Sequence, residues 1–226
     1  VAGNVTLDQV KELSEKWFGT IPKGTAYSRN LPNEPVQKER SFLEVKADVP
    51  TDALYMTFHM PGRFDEGYLT VDLMGDILGR GKSSRLHDQL VNHERIFNSV
   101  GAYVTGSLDP GLLVISGKLV KGVTLKQAEE RVWAVIAEFI ENGFNEEELT
   151  KVKNKAESTV VFSEVDLLSR AMNLAFAAVA NQPNYFNDES GLIQAVESID
   201  IIKQAQKILT PKNVSVLYYK SNGNEN

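Results

Sequence analysis

A glycine-rich segment, Gly79-Arg80-Gly81-Lys82-Ser83-Ser84, is the first place where residue types and spacing suggest chemistry. A phosphate-binding loop has the pattern G-x-x-x-x-G-K-[ST], in which backbone amides cradle phosphate and the lysine reaches it. That pattern requires a glycine at position 76, where the chain has Asp76. The segment also follows a predicted helix, whereas a phosphate-binding loop follows a strand. We therefore predict a helix stop, followed by a serine that caps the next helix, and no nucleotide site.

The three histidines do not have the spacing of a metal site. His59 lies within a predicted strand. His87 and His93 are six positions apart on one predicted helix, not the four that bring two ligands to one face. Neither H-E-x-x-H nor H-x-x-E-H occurs, the chain has no cysteine, and no neighbouring base singles out a serine nucleophile. The sequence therefore predicts no catalytic residue and no metal ligand in this chain.

Carboxylates are grouped at residues 129–130 and 146–148. Both groups lie in or next to the first turn of a predicted helix, where the helix dipole stabilises negative charge. Solvated helix ends account for them, so they predict no acid–base pair.

Charge and composition limit the classes of partner. The chain has 226 residues, a formal net charge of −6 and an isoelectric point near 5.2, which disfavour nucleic-acid binding. Its longest uncharged stretch, Ala171–Asn187, contains Asn173, Asn181, Gln182 and Pro183 and falls short of the roughly 20 apolar residues of a membrane span. No signal peptide is recognisable at the start. We expect a soluble chain without a membrane span, and both cytoplasm and periplasm stay open.

Two parts of the chain are separated by a linker. Thr6, with Gln9 three positions later, predicts a capped helix that ends at Gly19. Residues 20–40 are rich in proline and polar residues and predict the linker. The remainder, residues 41–226, is predicted as one domain.

Periodicity predicts the elements of that domain. Apolar residues alternate with polar ones in segments that read as strands buried on one face, and other segments have helical spacing. Trp17 and Trp133 lie on apolar helix faces, and we expect both in the core. A turn at residues 108–111 predicts a hairpin. Strands are predicted at 43–49, 54–60, 96–105, 112–120 and 214–218, and helices at 65–78, 83–93, 124–143, 145–180, 188–197 and 199–209. This order predicts an α+β fold with a largely antiparallel sheet and helices packed on one face.

Several strings in this order resemble the pitrilysin/insulinase-type zinc metallopeptidases, the inverzincin family. The resemblance covers nearly the whole chain, and its most specific part is similar to the family's L-G-x-G-x-S-S-R-L segment. Two other strings also resemble the family. One is similar to the segment that leads from the family's first domain to its second and contains F-G-x-I-P, and the other is similar to the start of a helix with the pattern T-x-x-E-L-x-x-x-K. The matching residues are Val1–Val10, Trp17–Pro22, Ile77–Leu86 and Asn145–Lys153.

The resemblance implies a position within a larger protein. It places residues 1–19 at the end of a preceding domain, as its last strand and helix. It makes 41–226 the second, C-terminal domain of one half. Zinc would be held by H-x-x-E-H in the preceding domain, so this chain would carry no cofactor itself and would be inactive alone. The loop residues Gly79, Arg80, Gly81 and Lys82 would contact peptide substrate, and alanine at the two glycines is expected to weaken peptide binding with little loss of folding.

The same resemblance implies a partner. A second domain of this family commonly supplies an arginine and a tyrosine to the substrate shortly after S-S-R-L. Those positions fall here on Val91 and Asn98, and Arg95 stands where the family usually has glycine. Another half or subunit of the same family would then supply the missing arginine and tyrosine.

Two functions follow from the resemblance. The first is the C-terminal, non-zinc-binding domain of a metallopeptidase that cleaves unfolded peptides in a two-halved chamber. Here the domain would contribute chamber wall, substrate admission and partner contacts. The alternative is a non-catalytic structural subunit or inactive paralogue of the same family. We favour the first, because an absent arginine and tyrosine are ordinary for a zinc-bearing half.

Overall fold

The computed structural model describes residues 1–25, 32 and 34–222. Its centre is a five-stranded sheet with the strand order β1-β5-β2-β4-β3. Three of the neighbouring pairs are antiparallel, and β1 pairs with β5 in parallel. The strands are β1 Ser41–Ala47, β2 Ala53–Met60, β3 Phe97–Val104, β4 Gly111–Leu119 and β5 Val214–Ser221.

Helices cover one face of this sheet. They bury every second residue of the central strand β2, namely Leu54, Met56, Phe58 and Met60, because successive side chains of a strand point to opposite faces. The predicted α+β class is therefore confirmed. The helices are α1 Leu7–Phe18, α2 Tyr68–Gly79, α3 Arg85–His87, α4 Leu125–Asn142, α5 Glu146–Ser163, α6 Leu167–Val179, α7 Tyr185–Ala195 and α8 Ser198–Ile208.

The predicted helix starts have local causes that the structure confirms. Thr6 and Asn145 each accept a hydrogen bond from the backbone N–H three residues later. Gln9 and Glu148, at those third positions, return a bond to the cap. Such a capping box satisfies two amides that would otherwise lack partners.

The prediction of one helix from Asn145 to Ala180 is wrong. The chain leaves helical geometry after Ser163 and begins a new helix at Leu167. The cause is Asp166, whose carboxylate accepts a hydrogen bond from the N–H of Ser169 at 2.8 Å and so caps α6.

The predicted helix over 83–93 also differs. It consists of the short α3 followed directly by a π-helical segment, Asp88–His93. Ser83 does not cap it. Ser84 occupies the cap position, and its hydroxyl donates to the carbonyl of Gly81 at 2.7 Å instead of accepting from the helix.

The two tryptophans have different surroundings. Trp133 is half-buried and lies edge-on to Phe58, with ring centroids 5.8 Å apart. Trp17 is 65% exposed, and α1 has no buried residue, so the expectation that Trp17 belongs to the core of this chain is wrong.

The predicted linker is anchored near its end. Gln37 donates to the carbonyl of Val214 and Arg40 to the carboxylate of Glu129, both at 2.8 Å. Residues 26–31 and 33 of the linker, and 223–226 of the predicted domain, lie outside the described residues. Among the helices of the described part of the chain, none has the length and apolarity needed to cross a membrane.

Candidate functional site

The C-terminal end of α2 lies directly on the edge strand β3. Gly79, the last residue of the helix, is buried, and a Cβ placed on it would lie 2.0 Å from the backbone nitrogen of Ala102. Only a residue without a side chain permits this approach. Gly79 is therefore a packing residue at the base of the loop and not an exposed loop residue. This close contact argues against the expectation that alanine at Gly79 would cost little folding.

The rest of the loop is exposed and turns sharply. Arg80, Gly81 and Lys82 are exposed, and Gly81 has φ +95°, a left-handed conformation that side chains rarely adopt. The loop is tied to the start of α5, because Lys151 Nζ donates to Ser83 Oγ at 2.6 Å.

A bidentate ion pair reinforces this tie. Arg85 donates to both carboxylate oxygens of Glu148, at 2.9 and 3.0 Å. The pair holds the pKa of Glu148 below its usual range, chiefly through these hydrogen bonds. The loop therefore has a fixed base on both sides and an exposed tip.

Strand β3 presents an open edge beside this loop. It is the outermost strand and pairs with β4, and no strand in residues 34–222 pairs with its other side. Such an edge has backbone N–H and C=O groups to which an extended peptide can add as a further strand.

The positions of the family's arginine and tyrosine are occupied by residues with other contacts. Val91 is partly buried and packs against the core. Asn98 lies where the β3–β4 register shifts, and its side-chain nitrogen donates to the carbonyl of Leu119 at 2.7 Å. Val91 has no donor, and Asn98 has neither the guanidinium nor the phenolic hydroxyl that the family's residues supply. Arg95 has φ +55°, which explains physically why glycine suits that position.

A cavity of about 410 Å³ lies next to the loop, between α2 and the helices α5 and α7. Two ion pairs line it. Arg63 donates to Glu189 at 2.7 Å, and Arg80 donates to Asp76 at 3.0 Å. Burial raises the pKa of both carboxyls, and the arginines act against that rise.

Asp72 also lines this cavity, one helical turn before Asp76. Burial raises its pKa, and the charge of Asp76 adds to the rise. The sequence prediction missed Asp72, Arg63 and Glu189. Two aspartates four positions apart in the apolar α2 are a signal that could have drawn attention, since four residues share a helix face. The approach of Glu189 depends on the tertiary fold and has no local signal.

The described residues do not fit a zinc ion. Across 1–25, 32 and 34–222, no three His, Asp or Glu side chains come close enough to hold a metal, whereas a zinc site needs at least three protein ligands. The three histidines lie apart. His59 Nε2 is 3.7 Å from Glu34, His93 Nε2 is 3.5 Å from Asp88, and His87 Nδ1 is buried without a hydrogen bond.

Comparison with known proteins gives a consistent family and fold. Residues 1–156 match the family described as "Peptidase M16 inactive domain". The uncharacterized zinc protease YmxG of Bacillus subtilis is 26% identical over 164 residues, which are 72% of this chain and 39% of that protein.

Solved structures share the fold at low identity. A protease from Helicobacter pylori has a TM-score of 0.88 at 18% identity, over 97% of this chain and 54% of that one. A peptidase M16 inactive domain from Pseudomonas fluorescens has a TM-score of 0.82 at 18% identity, over 98% and 52%. The first half of the periplasmic protease PqqL from Escherichia coli has a TM-score of 0.76 at 13% identity, over 96% and 50%.

The chain thus spans 39% of the curated relative and about half of these structures. The family match over residues 1–156 agrees with the fold, with the S-S-R-L segment after α2 and with the lack of a metal-binding group among the described residues. The chain belongs to the peptidase M16 inactive-domain family, whose homologues are zinc protease-like proteins.

Proposed function

We propose that this chain is the C-terminal, non-zinc-binding domain of a zinc metallopeptidase that cleaves unfolded peptides inside a two-halved chamber. The family match, the zinc-protease name of the curated relative and that relative's greater length support the proposal. The zinc ion and the H-x-x-E-H motif belong to a preceding domain. The present domain forms part of the chamber wall and helps to admit substrate.

The juxtaposition of the 79–82 loop and the edge of β3 carries this proposal. Arg80, Gly81 and Lys82 project from a fixed base beside an unpaired strand edge. A peptide that adds to β3 in extended form would pass this loop, and Gly81 allows its backbone to come close because it has no side chain. Gly79 contributes indirectly, by letting α2 end directly against Ala102.

Helix α1 supports a proposal about the preceding domain. Its apolar residues Leu7, Trp17 and Phe18 are exposed, and no residue of α1 is buried by the part of the chain that the structure describes. We propose that residues 1–19 complete the preceding domain and that this apolar face is buried there. The segment 20–40 then links the two domains.

The substrate role is tested in the parent protein by changing Gly81→Ala and measuring the hydrolysis of an unfolded peptide. We expect KM to rise several-fold with kcat little changed, because a side chain here obstructs binding and not the chemistry. Gly122→Ala is a matched control, since Gly122 has φ +91° and, like Gly81, nothing within 4 Å of its Cβ position. Both variants carry the same backbone strain, so an equal effect on KM, or none in either, would contradict the role of the loop.

A partner requirement is tested separately. Because Val91 has no donor and Asn98 has neither a guanidinium nor a phenolic hydroxyl, another half must supply the arginine and tyrosine that orient the peptide and stabilise the oxyanion. Removal of such a donor typically costs about 10²–10³ in rate. The parent subunit alone should be nearly inactive, and a partner with arginine and tyrosine in these positions should restore hydrolysis. Full activity of a monomeric parent subunit would contradict this.

The alternative function is a non-catalytic structural subunit or inactive paralogue. The residues at the same two positions, Val91 and Asn98, fit this alternative equally well. Zinc-dependent hydrolysis by the parent protein together with its partner would exclude it, and a parent protein that binds no stoichiometric zinc would support it.

A further inference from the structure

The cavity beside the loop has an unbalanced set of charges. Five side chains of the acidic and basic residue types line it: two arginines, Arg63 and Arg80, and three carboxylates, Asp72, Asp76 and Glu189. Each arginine is within hydrogen-bond distance of one carboxylate, Glu189 for Arg63 and Asp76 for Arg80. The third carboxylate, Asp72, has neither a hydrogen bond nor an ion pair to any part of the chain that the structure describes. With all five groups ionised, the lining therefore has one excess negative charge, at Asp72. Lys155 of α5 lies outside the lining, and its charge acts on Asp76.

The excess charge is partly screened from solvent. Asp72 lies on α2 between the buried residues Val71 and Leu73, and its own side chain is only partly exposed. A carboxylate in such surroundings gains more from a cationic partner than an exposed one, because less water competes for it. The two arginines do not serve as that partner at hydrogen-bond distance, since they are engaged elsewhere.

The remaining walls suit a long aliphatic chain. The cavity is lined by Leu69 and Val160 together with the aromatic residues Tyr68 and Phe186. Arg63 already stacks on both rings, at 5.3 and 5.7 Å from their centroids, which shows that these aromatic faces accommodate a cation. A basic side chain can bury its methylenes against such walls while its charged end reaches a carboxylate.

The cavity and the proposed peptide path meet at Arg80. This residue lines the cavity and is also the first exposed residue of the loop, and Tyr103 and Val104 of the edge strand β3 line the cavity as well. A peptide alongside β3 can therefore direct one side chain into the cavity without leaving the strand edge. We propose that the cavity is a subsite for a single lysine or arginine side chain of the bound peptide, with Asp72 as the carboxylate that receives its charge. This inference rests on the proposed peptide-binding role of the loop and edge strand.

Other ligand classes fit less well. An anion would meet an excess of negative charge, with both arginines already paired. A metal ion is disfavoured because the carboxylates that line the cavity do not form a metal-binding group among the described residues.

The inference is tested with three unfolded peptides that differ at one central position, which is lysine, norleucine or glutamate. Their affinities for the 226-residue chain are measured by fluorescence anisotropy at low ionic strength. We expect the lysine peptide to bind about ten- to a hundredfold more tightly than the norleucine peptide, the range for a hydrogen bond to a charged group. The glutamate peptide should bind most weakly.

Asp72→Asn should remove this preference and leave the norleucine peptide unaffected. The substitution keeps the shape of the side chain and removes a charge that burial disfavours, so the fold should persist, which urea unfolding verifies. Glu141→Gln, an exposed change of the same charge away from the cavity, is the control and should keep the preference.

The outcomes separate this inference from the proposed function. Binding of all three peptides with equal affinity, or a lysine preference that survives Asp72→Asn, would overturn the subsite and leave the peptide role of the loop intact. Failure of all three peptides to bind would overturn both. A preference that Asp72→Asn abolishes and Glu141→Gln retains would support both.

Discussion

Helices α1 and α8 are nearly equal in length and both are amphipathic, yet the apolar face of α8 is buried and that of α1 is exposed. In α8, Ile201 and Ala205 are fully buried against the rest of the fold. In α1, Leu13 is 51% exposed and no residue is buried. An apolar stripe at helical spacing therefore shows that a helix needs a partner, but it does not show that the partner belongs to the same chain. Apolar side chains on α6, namely Leu168, Met172 and Val179, are exposed in the same way and also lack cover from the described residues of this chain.

The largest effect on stability should come from a substitution in α8, the helix whose apolar face is buried. Ile201→Ala removes a fully buried side chain and leaves a cavity, so the free energy of unfolding should fall by about 2–5 kcal/mol. Leu13→Ala in α1 should change it by less than about 0.5 kcal/mol, because the residue is 51% exposed and lies in a helix without buried residues. Urea unfolding of the chain measures both. Similar losses for the two variants would show that α1 is stabilised by this chain after all.

A second test concerns the closest approach between a covered helix and the sheet. Gly79→Ala should destabilise the chain by about 1–3 kcal/mol, because its Cβ would overlap the backbone of Ala102 and force α2 away from β3. The matched change is Gly3→Ala, near the exposed helix α1, where nothing lies within 4 Å of the Cβ position. Its effect should be smaller, since it carries only backbone strain. An unaltered stability of Gly79→Ala would mean that α2 can move from β3 at little cost.

The smallest effect concerns charge. Burial raises the pKa of Asp72, so the folded state binds this proton more tightly than the unfolded state does. Asp72 thus costs no stability at pH values below its unfolded pKa, and the cost grows as the pH rises through the raised value. Asp72→Asn should therefore be more stable than the wild type at pH 7, and the difference should vanish in acid. Glu12→Gln on the exposed α1 should show no such pH dependence. Stability curves measured by urea unfolding at several pH values check the sign.

The sequence predicted features that depend on a few neighbouring residues. The capping boxes at Thr6 and Asn145 form locally, and alternating strand residues follow from one buried face. The break between α5 and α6 was missed, because the apolar pattern continues across Asp166, whose capping bond starts α6 as a separate helix. The exposure of Trp17 could not be predicted from its helix face. An apolar face shows that the helix packs against something, but it does not show whether the partner lies in this chain.

The candidate site also has one part that the sequence predicts and another that depends on the tertiary fold. Gly79–Lys82 was located from a local string, although the close approach of Gly79 to Ala102 needed the folded chain. The pairing of Arg63 with Glu189 arises where distant segments meet. The same holds for Asp72, which has no cation at hydrogen-bond distance among the described residues, although Arg80 and Arg63 act on it from farther away. No spacing rule in the sequence predicts them.

The place of β5 in the sheet also affects synthesis of the chain. Strands β1 and β2 are consecutive in sequence, but β5 lies between them and pairs with both, through registers such as Ser41 with Ser215 and Phe58 with Val214. While the ribosome is still translating the preceding helices, β1 and the edge of β2 have no strand to join them. Translation at about 5–20 residues per second leaves that gap open for about 8–30 seconds. A nascent chain thus exposes two strand edges until residues 214–221 emerge, which makes this domain a candidate for chaperone binding during translation.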